Sequence, residues 1–200
     1  VKIRKSFQAN PTLYKKIERK IKNKILENNK IESRCCLFFL KNLIFFKFGV
    51  FVLPVSKFNN LTKSIKLEIL KKILTTCSGK LFPPRVASLS LFINKLKFKE
   101  DFKYTLHNCI IEKKNKNIKF FKESASLSSN NSRIKIGSNT QYFWDNRFII
   151  KTKKNIECFI LSESKWLLYK KYFNKKKSEL GITFEVLKTL PVINIEKKII

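Results

Sequence analysis

The hydrophobic period of this chain changes between Cys77 and Cys109, and that change limits the folds it can adopt. Before this stretch apolar residues recur at helical spacing, whereas after about Glu100 they alternate as they do in β-strands. The stretch also contains the only Pro-Pro pair and the only histidine of the chain. We therefore predict an α+β fold, with a helical subdomain over residues 1–100 and a small β-rich region over residues 101–200.

The first half begins with a predicted amphipathic helix that has a basic outer face. Asn10 can cap this helix, Pro11 suits its first position, and no glycine occurs before Gly49. Apolar residues recur every four positions and predict a stripe that packs on the rest of the protein. The stripe consists of Leu13, Ile17, Ile21 and Ile25.

Residues 31–53 are the most apolar part of the chain. Their length is nearly sufficient for a transmembrane helix, but Lys41 and Lys47 lie inside the run. Each of these charges would cost about 2.5–3.5 kcal/mol near the centre of a bilayer. The sequence therefore favours a buried helix that ends near Gly49, then a short strand through Leu53, and a membrane-anchored protein is the less favoured alternative.

Two more helices are predicted before the period changes. Helical spacing of leucine and isoleucine extends over residues 56–76 and runs into Cys77-Ser78-Gly79, where the glycine can end a helix. Pro84 can begin the next helix, which is predicted over residues 85–96.

The second half is predicted to contain short strands. Asn115 offers a turn between an apolar stretch that ends at Ile111 and a return strand at residues 118–121, which predicts a hairpin. Residues 123–140 are rich in Ser, Asn and Gly, and their composition indicates a flexible loop. The remaining predicted elements are strands over 142–144, 147–150 and 156–161, and a terminal helix capped by Ser162.

The chain has 44 Lys and Arg residues against 14 Asp and Glu, and so a formal net charge of +30. An A/T-rich genome favours the codons of Lys, Asn, Ile and Phe, but such a bias does not explain the scarcity of acidic residues. A partner with many phosphates is the simplest physical explanation, because it neutralises the repulsion between like charges. Aromatic side chains among basic residues are also a common means of holding unpaired bases.

Candidate contacts to RNA phosphates lie on the first helix and in the segment 80–85. They are Lys15, Arg19, Lys22, Lys80 and Arg85. A further candidate is the predicted turn Trp144-Asp145-Asn146-Arg147-Phe148, in which Trp144 and Arg147 would contact RNA. The preferred interpretation of this turn is a structural corner, in which an Asp145–Arg147 pair holds the turn and Trp144 and Phe148 lie in the core.

No complete catalytic constellation is present in the sequence. It has no glycine-rich phosphate loop, its carboxylates are scattered, and its five cysteines and one histidine lack metal-ligand spacing. His107 and Cys109 would share a strand face, as a nucleophilic pair can, but a turn histidine beside a core cysteine is the preferred interpretation. We therefore expect no catalytic residues, cofactor or metal in this chain.

The cysteines also indicate a compartment. An odd number without a visible secretory signal favours reduced thiols in a cytosol-like setting, either the bacterial cytoplasm or the matrix or stroma of an organelle. The chain begins at Val1 without a methionine, from which we expect a processed product or part of a longer protein. No membrane partner is expected.

Several short segments, in order, resemble the C-terminal region of tRNA(Ile)-lysidine synthases, especially those of the alphaproteobacterial type. VKIRKSF at the start is similar to a stretch that follows the catalytic domain of this family, and SGKLFPPR at 78–85 is similar to its Gly and YPPR segment. TLHNC at 105–109 resembles TLGGC, WDNRF at 144–148 resembles WDGRF, and TLPVI at 189–193 resembles a late SLP-type segment. His and Asn replace the two glycines of TLGGC, so a tight turn there requires the asparagine to take a positive φ.

The resemblance implies a role in tRNA modification. Members of this family use ATP to attach lysine to the wobble cytidine of isoleucine tRNA with a CAU anticodon, and an N-terminal domain with an SGGxDS loop carries that chemistry. The loop is not in this sequence, so ATP and lysine are expected only with a separate or missing N-terminal domain, and residues 1–200 are expected to bind the tRNA. The alternative from another class is a basic structural RNA-binding protein, such as a ribosomal component from an A/T-rich genome.

Overall fold

In the computed structural model, the described residues are 11–46, 48–97, 100–127, 133–161, 167, 170, 174–175, 182–195 and 198–199. Their helices and strands confirm the predicted α+β class. Long helices precede residue 100 and most strands follow it, as the change of hydrophobic period predicts.

The helices with described bounds are α1 (Pro11–Asn42), α2 (Val55–Asn59), α3 (Lys63–Ser78), α4 (Val86–Lys95) and α5 (Phe184–Leu187). The first two predicted helices form the single helix α1, because no glycine or proline interrupts it after Pro11. Helix α1 ends at Asn42, so the prediction of an end near Gly49 is wrong. The apolar residues that follow α1 pair as strands instead, and Gly49 takes a positive φ of 73° in the turn between them.

The strands are β1 (Ile44–Phe46), β2 (Val50–Pro54), β3 (Phe102–Leu106), β4 (Cys109–Lys114), β5 (Asn117–Lys122), β6 (Arg133–Ile136), β7 (Thr140–Trp144), β8 (Phe148–Thr152), β9 (Ile156–Ile160), β10 (Pro191–Ile195) and β11 (Lys198–Ile199). The first sheet has the antiparallel order β1-β2-β5-β4-β3. Its β4–β5 hairpin turns at Asn115, as predicted. Because β2 pairs with β5, this sheet contains strands from both sides of the predicted boundary at residue 100.

The second sheet has the order β11-β10-β9-β6, and β7 pairs with β8 in a hairpin. Residues 133–136, which the composition assigns to a flexible loop over 123–140, form strand β6 instead. They are ordered by antiparallel pairing with β9, a distant segment that local composition does not reveal. Residues 128–132 of the predicted loop and most of the helix predicted after Ser162 lie outside the described residues.

Three apolar cores hold these elements together. The first lies between helices α1, α3 and α4 and one face of the first sheet, and the second lies on the opposite face, against α5, β9 and β10. The alternation along β5 divides its side chains between the two, with Ile118 and Phe120 in the first core and Phe121 in the second. The third core lies between the β7–β8 hairpin and the second sheet. Strands β2, β4 and β5 of the first sheet therefore have apolar side chains packed on both faces, whereas the edge strand β1 is exposed.

Residues 19–30 of α1 do not belong to any of these cores. Residues 19–30 are all exposed, and Ile21 and Ile25 retain 54% and 53% exposure. The prediction that the apolar stripe of this helix is buried is therefore wrong over these positions. Among the side chains that the structure describes, the first core includes residues of α1 only from its second half. In the described part of the chain, no helix combines the length and the apolar character needed to cross a membrane.

Helices α1 and α3 are antiparallel. The Cys35 thiol lies 3.9 Å from the carbonyl oxygen of Ile65, and a carboxylate oxygen of Glu32 lies 2.9 Å from Lys72 Nζ. Residue numbers thus fall along α1 as they rise along α3. The beginning of α1 and the end of α3 consequently point toward the same end of the molecule.

Candidate nucleic-acid interface

Gly79 fixes the path of the chain after α3. It ends the helix in the left-handed conformation (φ 69°), and its N–H donates to the carbonyl oxygens of Thr75 and Thr76 at 3.1 and 3.4 Å. A β-carbon at this position would lie 2.3 Å from the backbone oxygen of Asp145. The predicted helix stop is confirmed, and glycine is required both by the backbone conformation and by the close approach of a second segment.

That second segment is the turn Trp144–Arg147 between β7 and β8. Asp145 and Asn146 have positive φ values of 50° and 52°, and the N–H of Arg147 donates to the carbonyl oxygen of Trp144 at 3.0 Å. The side-chain amide of Asn146 donates to the carbonyl oxygen of Gly79 at 3.2 Å. The turn is thereby docked on the end of α3.

Asp145 is the carboxylate that compensates two buried cations. Its Oδ2 lies 2.7 Å from Arg147 Nε and 3.5 Å from Lys122 Nζ, and both cationic side chains are only 3% exposed. Arg147 Nη2 also donates to the carbonyl oxygen of Thr189 at 2.8 Å, and Lys122 donates to that of Ser78. Buried charges are costly without such partners, so this cluster ties α3, β5 and the segment before β10 together.

Trp144 and Arg147 are not accessible to RNA in this arrangement. Trp144 is fully buried in the third core, and the Arg147 side chain is directed to Asp145 and to a backbone carbonyl. Neither side chain can stack on a base or reach a phosphate from these positions. Their placement corresponds to the structural-corner alternative.

The turn His107-Asn108 joins β3 to β4. Both residues have positive φ values, 55° and 58°, so the asparagine adopts the conformation that the loss of the two glycines requires. The His107 side chain lies beside the backbone of Phe82. Burial, aided by the nearby charges of Lys80 and Lys122, holds the pKa of His107 below its ordinary value.

Cys109 lacks the properties of a nucleophile. It is fully buried, and a hydrogen bond with Cys77 together with burial raises the pKa of the Cys109 thiol. A thiolate is the reactive form of cysteine, so this thiol is inert. The placement agrees with a turn histidine beside a core cysteine. Within the described ranges, no three His, Cys, Asp or Glu side chains are grouped as a metal would need.

The segment between α3 and α4 presents both charge and apolar surface. Lys80 and Arg85 are exposed, as a phosphate contact requires. Between them Leu81 and Phe82 are 85% and 78% exposed, whereas Pro84 is buried. Residue type alone would predict that Leu81 and Phe82 are buried in a core. The feature of the sequence that could have indicated their exposure is their position between two cations and beside two prolines.

The three candidate cations on α1 are also exposed. Lys15, Arg19 and Lys22 lie on the half of α1 that projects from the cores. Lys22 Nζ is 2.8 Å from a carboxylate oxygen of Glu18, but both side chains are largely in solvent, where such a pair is weak. Because α1 and α3 are antiparallel, these cations and the segment 80–85 lie toward the same end of the molecule. Exposure of this kind is what a contact to phosphates requires.

No family model matches the chain. Curated relatives do match it: the tRNA(Ile)-lysidine synthase of Rickettsia bellii is 24% identical over 190 residues, which is 92% of this chain and 44% of the relative. The enzyme of the same name from Rickettsia conorii is 27% identical over 184 residues (89% and 38%), and that from Rickettsia peacockii is 29% identical over 161 residues (78% and 30%). The chain therefore spans less than half the length of these relatives. The matches confirm the resemblance to tRNA(Ile)-lysidine synthases, and their coverage fits a C-terminal portion of such a protein.

Proposed function

We propose that this chain is the tRNA-binding C-terminal portion of a tRNA(Ile)-lysidine synthase. The similarity to relatives of that name over most of the chain supports the assignment. The substrate would be isoleucine tRNA with a CAU anticodon, and ATP and lysine would bind to the separate catalytic part. The residues of this chain would hold and orient the tRNA and would not react with it.

The observation that carries the proposal is the exposure of two basic segments that lie toward the same end of the molecule. Cations at Lys15, Arg19, Lys80 and Arg85 can neutralise phosphates of a folded RNA and release its counterions. Contacts of this kind position an RNA without reading its bases. Selectivity for one tRNA would then come from the shape of the tRNA and from a small number of base contacts.

Binding to two tRNAs as a function of salt tests the proposal. Isoleucine tRNA with the CAU anticodon is compared with another tRNA of equal length. We expect the isoleucine tRNA to keep its advantage at high salt, and Arg85→Ala to reduce that advantage. If both tRNAs bind alike and both affinities fall steeply with salt, the chain is a generic basic RNA-binding protein and the proposal is wrong.

Charge-matched variants locate the contact surface. Each lost phosphate contact lowers the slope of log affinity against log salt by about 0.7 to 0.9. One variant carries Lys15→Gln, Arg19→Gln and Lys22→Gln. The magnitude of its negative slope is expected to decrease by roughly 2 to 3, so that its affinity depends less steeply on salt. The control variant removes the same charge from exposed positions in the second half of the chain. Its substitutions are Lys135→Gln, Lys151→Gln and Lys153→Gln. Equal changes in the two variants would contradict a contact surface on α1.

A further inference from the structure

An aromatic ring is held in solvent beside cations in the segment after α3. Phe82 is 78% exposed although phenylalanine is usually buried, and Leu81 next to it is 85% exposed. Val86, at the start of α4, is also half exposed. The segment therefore presents a small apolar surface within a strongly basic chain.

The backbone on the N-terminal side of Phe82 is anchored. The hydroxyl of Ser78 accepts a hydrogen bond from the N–H of Lys80 at 3.2 Å, and the carbonyl oxygen of Gly79 accepts one from Asn146. Lys122 donates to the carbonyl oxygen of Ser78. These bonds connect the start of the segment to the buried cluster around Asp145.

The C-terminal side of Phe82 is anchored as well. Pro83 restricts the backbone that follows, and Pro84 is buried. The exposed ring thus projects from a segment whose backbone is fixed on both sides, and little conformational entropy remains to be lost when a ligand binds.

The charges around the ring favour an anion. Lys80 and Arg85 flank it in the sequence and are exposed, and Lys80 lies close enough to His107 to lower the pKa of that imidazole. An aromatic face flanked by cations is the arrangement with which proteins hold unpaired bases, since the ring stacks on the base and the cations contact the neighbouring phosphates.

We propose that Phe82 is a stacking surface for an unpaired base of RNA, with Lys80 and Arg85 contacting the phosphates on either side of that base. The inference deepens the proposed function, because it identifies unpaired nucleotides as the part of the RNA that this segment contacts. A base-paired helix offers no free base face along its length, so the segment discriminates between single-stranded and duplex RNA.

The test compares a single-stranded RNA with a blunt duplex RNA that has the same number of phosphates. Phe82→Ala is expected to weaken binding of the single strand by roughly 5- to 150-fold, the range for one lost base–aromatic stack, and to leave duplex binding unchanged. Phe82→Trp is expected to retain binding. The control is Phe143→Ala, which removes another exposed ring (58%) on β7 and is expected to change neither affinity. Unfolding of each variant is measured in parallel, and the exposure of both rings predicts little change.

Two results would overturn the stacking role. One is a Phe82→Ala variant that binds the single strand as well as the unchanged chain does. The other is an equal loss for single-stranded and duplex RNA. The tRNA comparison is separate: if the CAU tRNA has no advantage but Phe82→Ala still affects only single-stranded RNA, the stacking role stands and the proposed function fails. If the CAU tRNA keeps its advantage and Phe82→Ala has no effect, the stacking role alone fails.

Discussion

Replacement of Gly79 by alanine tests how closely the Trp144–Arg147 turn is docked on α3. The new β-carbon would lie 2.3 Å from the backbone oxygen of Asp145 and 3.2 Å from Cγ of Arg147. A backbone oxygen cannot rotate away as a flexible side chain can, so the whole turn has to shift. Gly79 also has a φ of +69°, which is strained for any residue with a β-carbon.

The expected cost follows from three effects. The left-handed conformation costs alanine about 1–2 kcal/mol, and overpacking against a fixed neighbour costs about 1–3 kcal/mol. A shift of the turn also weakens the Asn146–Gly79 hydrogen bond, worth about 0.5–1.5 kcal/mol. We expect Gly79→Ala to lower the free energy of unfolding by about 3–6 kcal/mol, a large part of the stability of an ordinary domain.

Urea unfolding measures this loss, with the fluorescence of the buried Trp144 as the signal. Two other glycines provide graded controls. Gly49 also has a positive φ of 73°, but an added β-carbon would lie 3.4 Å from its nearest neighbour, a ring carbon of Phe148. Gly49→Ala is therefore expected to lower the free energy of unfolding by about 1–2 kcal/mol. Gly137 has no positive φ, and an added β-carbon would lie 3.8 Å from its nearest neighbour, the methyl group of Thr140. Gly137→Ala is therefore expected to leave the free energy of unfolding unchanged or to raise it by up to about 1 kcal/mol. If Gly79→Ala is as stable as Gly137→Ala, the docking of the turn on α3 is refuted.

Three further predictions address the same region and the thiols. Asn146→Ala should cost about 1–3 kcal/mol, because it loses the bond to Gly79 and strains a positive φ. Asn146→Gly loses the same bond without the strain and should cost no more than about 0.5–1.5 kcal/mol, so equal losses of the two variants in urea unfolding would contradict a strained φ at this position. The pKa of His107 in the folded protein is lowered below its ordinary 6.5, so the unfolded chain binds a proton more readily. The free energy of unfolding should therefore fall as the pH drops below about 6.5, and His107→Asn should flatten that part of the pH profile. An unchanged profile would contradict the burial of the imidazole. Cys36 is exposed and the other four cysteines are buried. Ellman's reagent should therefore modify one thiol rapidly in the folded protein and five after denaturation. Rapid modification of a second thiol in the folded protein would be inconsistent with the packing.

The elements that were predicted correctly are those fixed by local rules. The glycine after Ser78 ends α3, and Asn115 turns the β4–β5 hairpin, because each of these residue types tolerates a left-handed backbone better than its neighbours do. The replacement of two glycines by His107-Asn108 likewise required a positive φ that the structure contains. In each case the decisive interaction lies within a few residues of the signal.

The candidate site could be predicted only in part. The exposed cations of α1 and of the segment 80–85 were identified by charge alone, because a dense cluster of Lys and Arg cannot be buried without acidic partners. Trp144 and Arg147 carry the same chemical signature but lie inside the protein. A buried arginine is stable there because Asp145 and a carbonyl oxygen of a distant segment surround it. The sequence of the turn suggests the Asp145 partner, whereas its spacing does not reveal the carbonyl oxygen of Thr189.

By itself, the sequence determined the α+β class, the position at which helix gives way to strand, and the similarity to tRNA(Ile)-lysidine synthases, because periodicity and short motifs are properties of neighbouring residues. The tertiary structure decided which faces are covered. Ile21 and Ile25 of the apolar stripe of α1 are exposed because no core extends to them. Strand β6 forms because β9 lies beside it, and Phe82 is exposed on a segment that Asn146 anchors before it and two prolines restrict after it. Whether a residue is buried depends on which distant segments pack against it, and that packing is determined jointly by residues far apart in the chain.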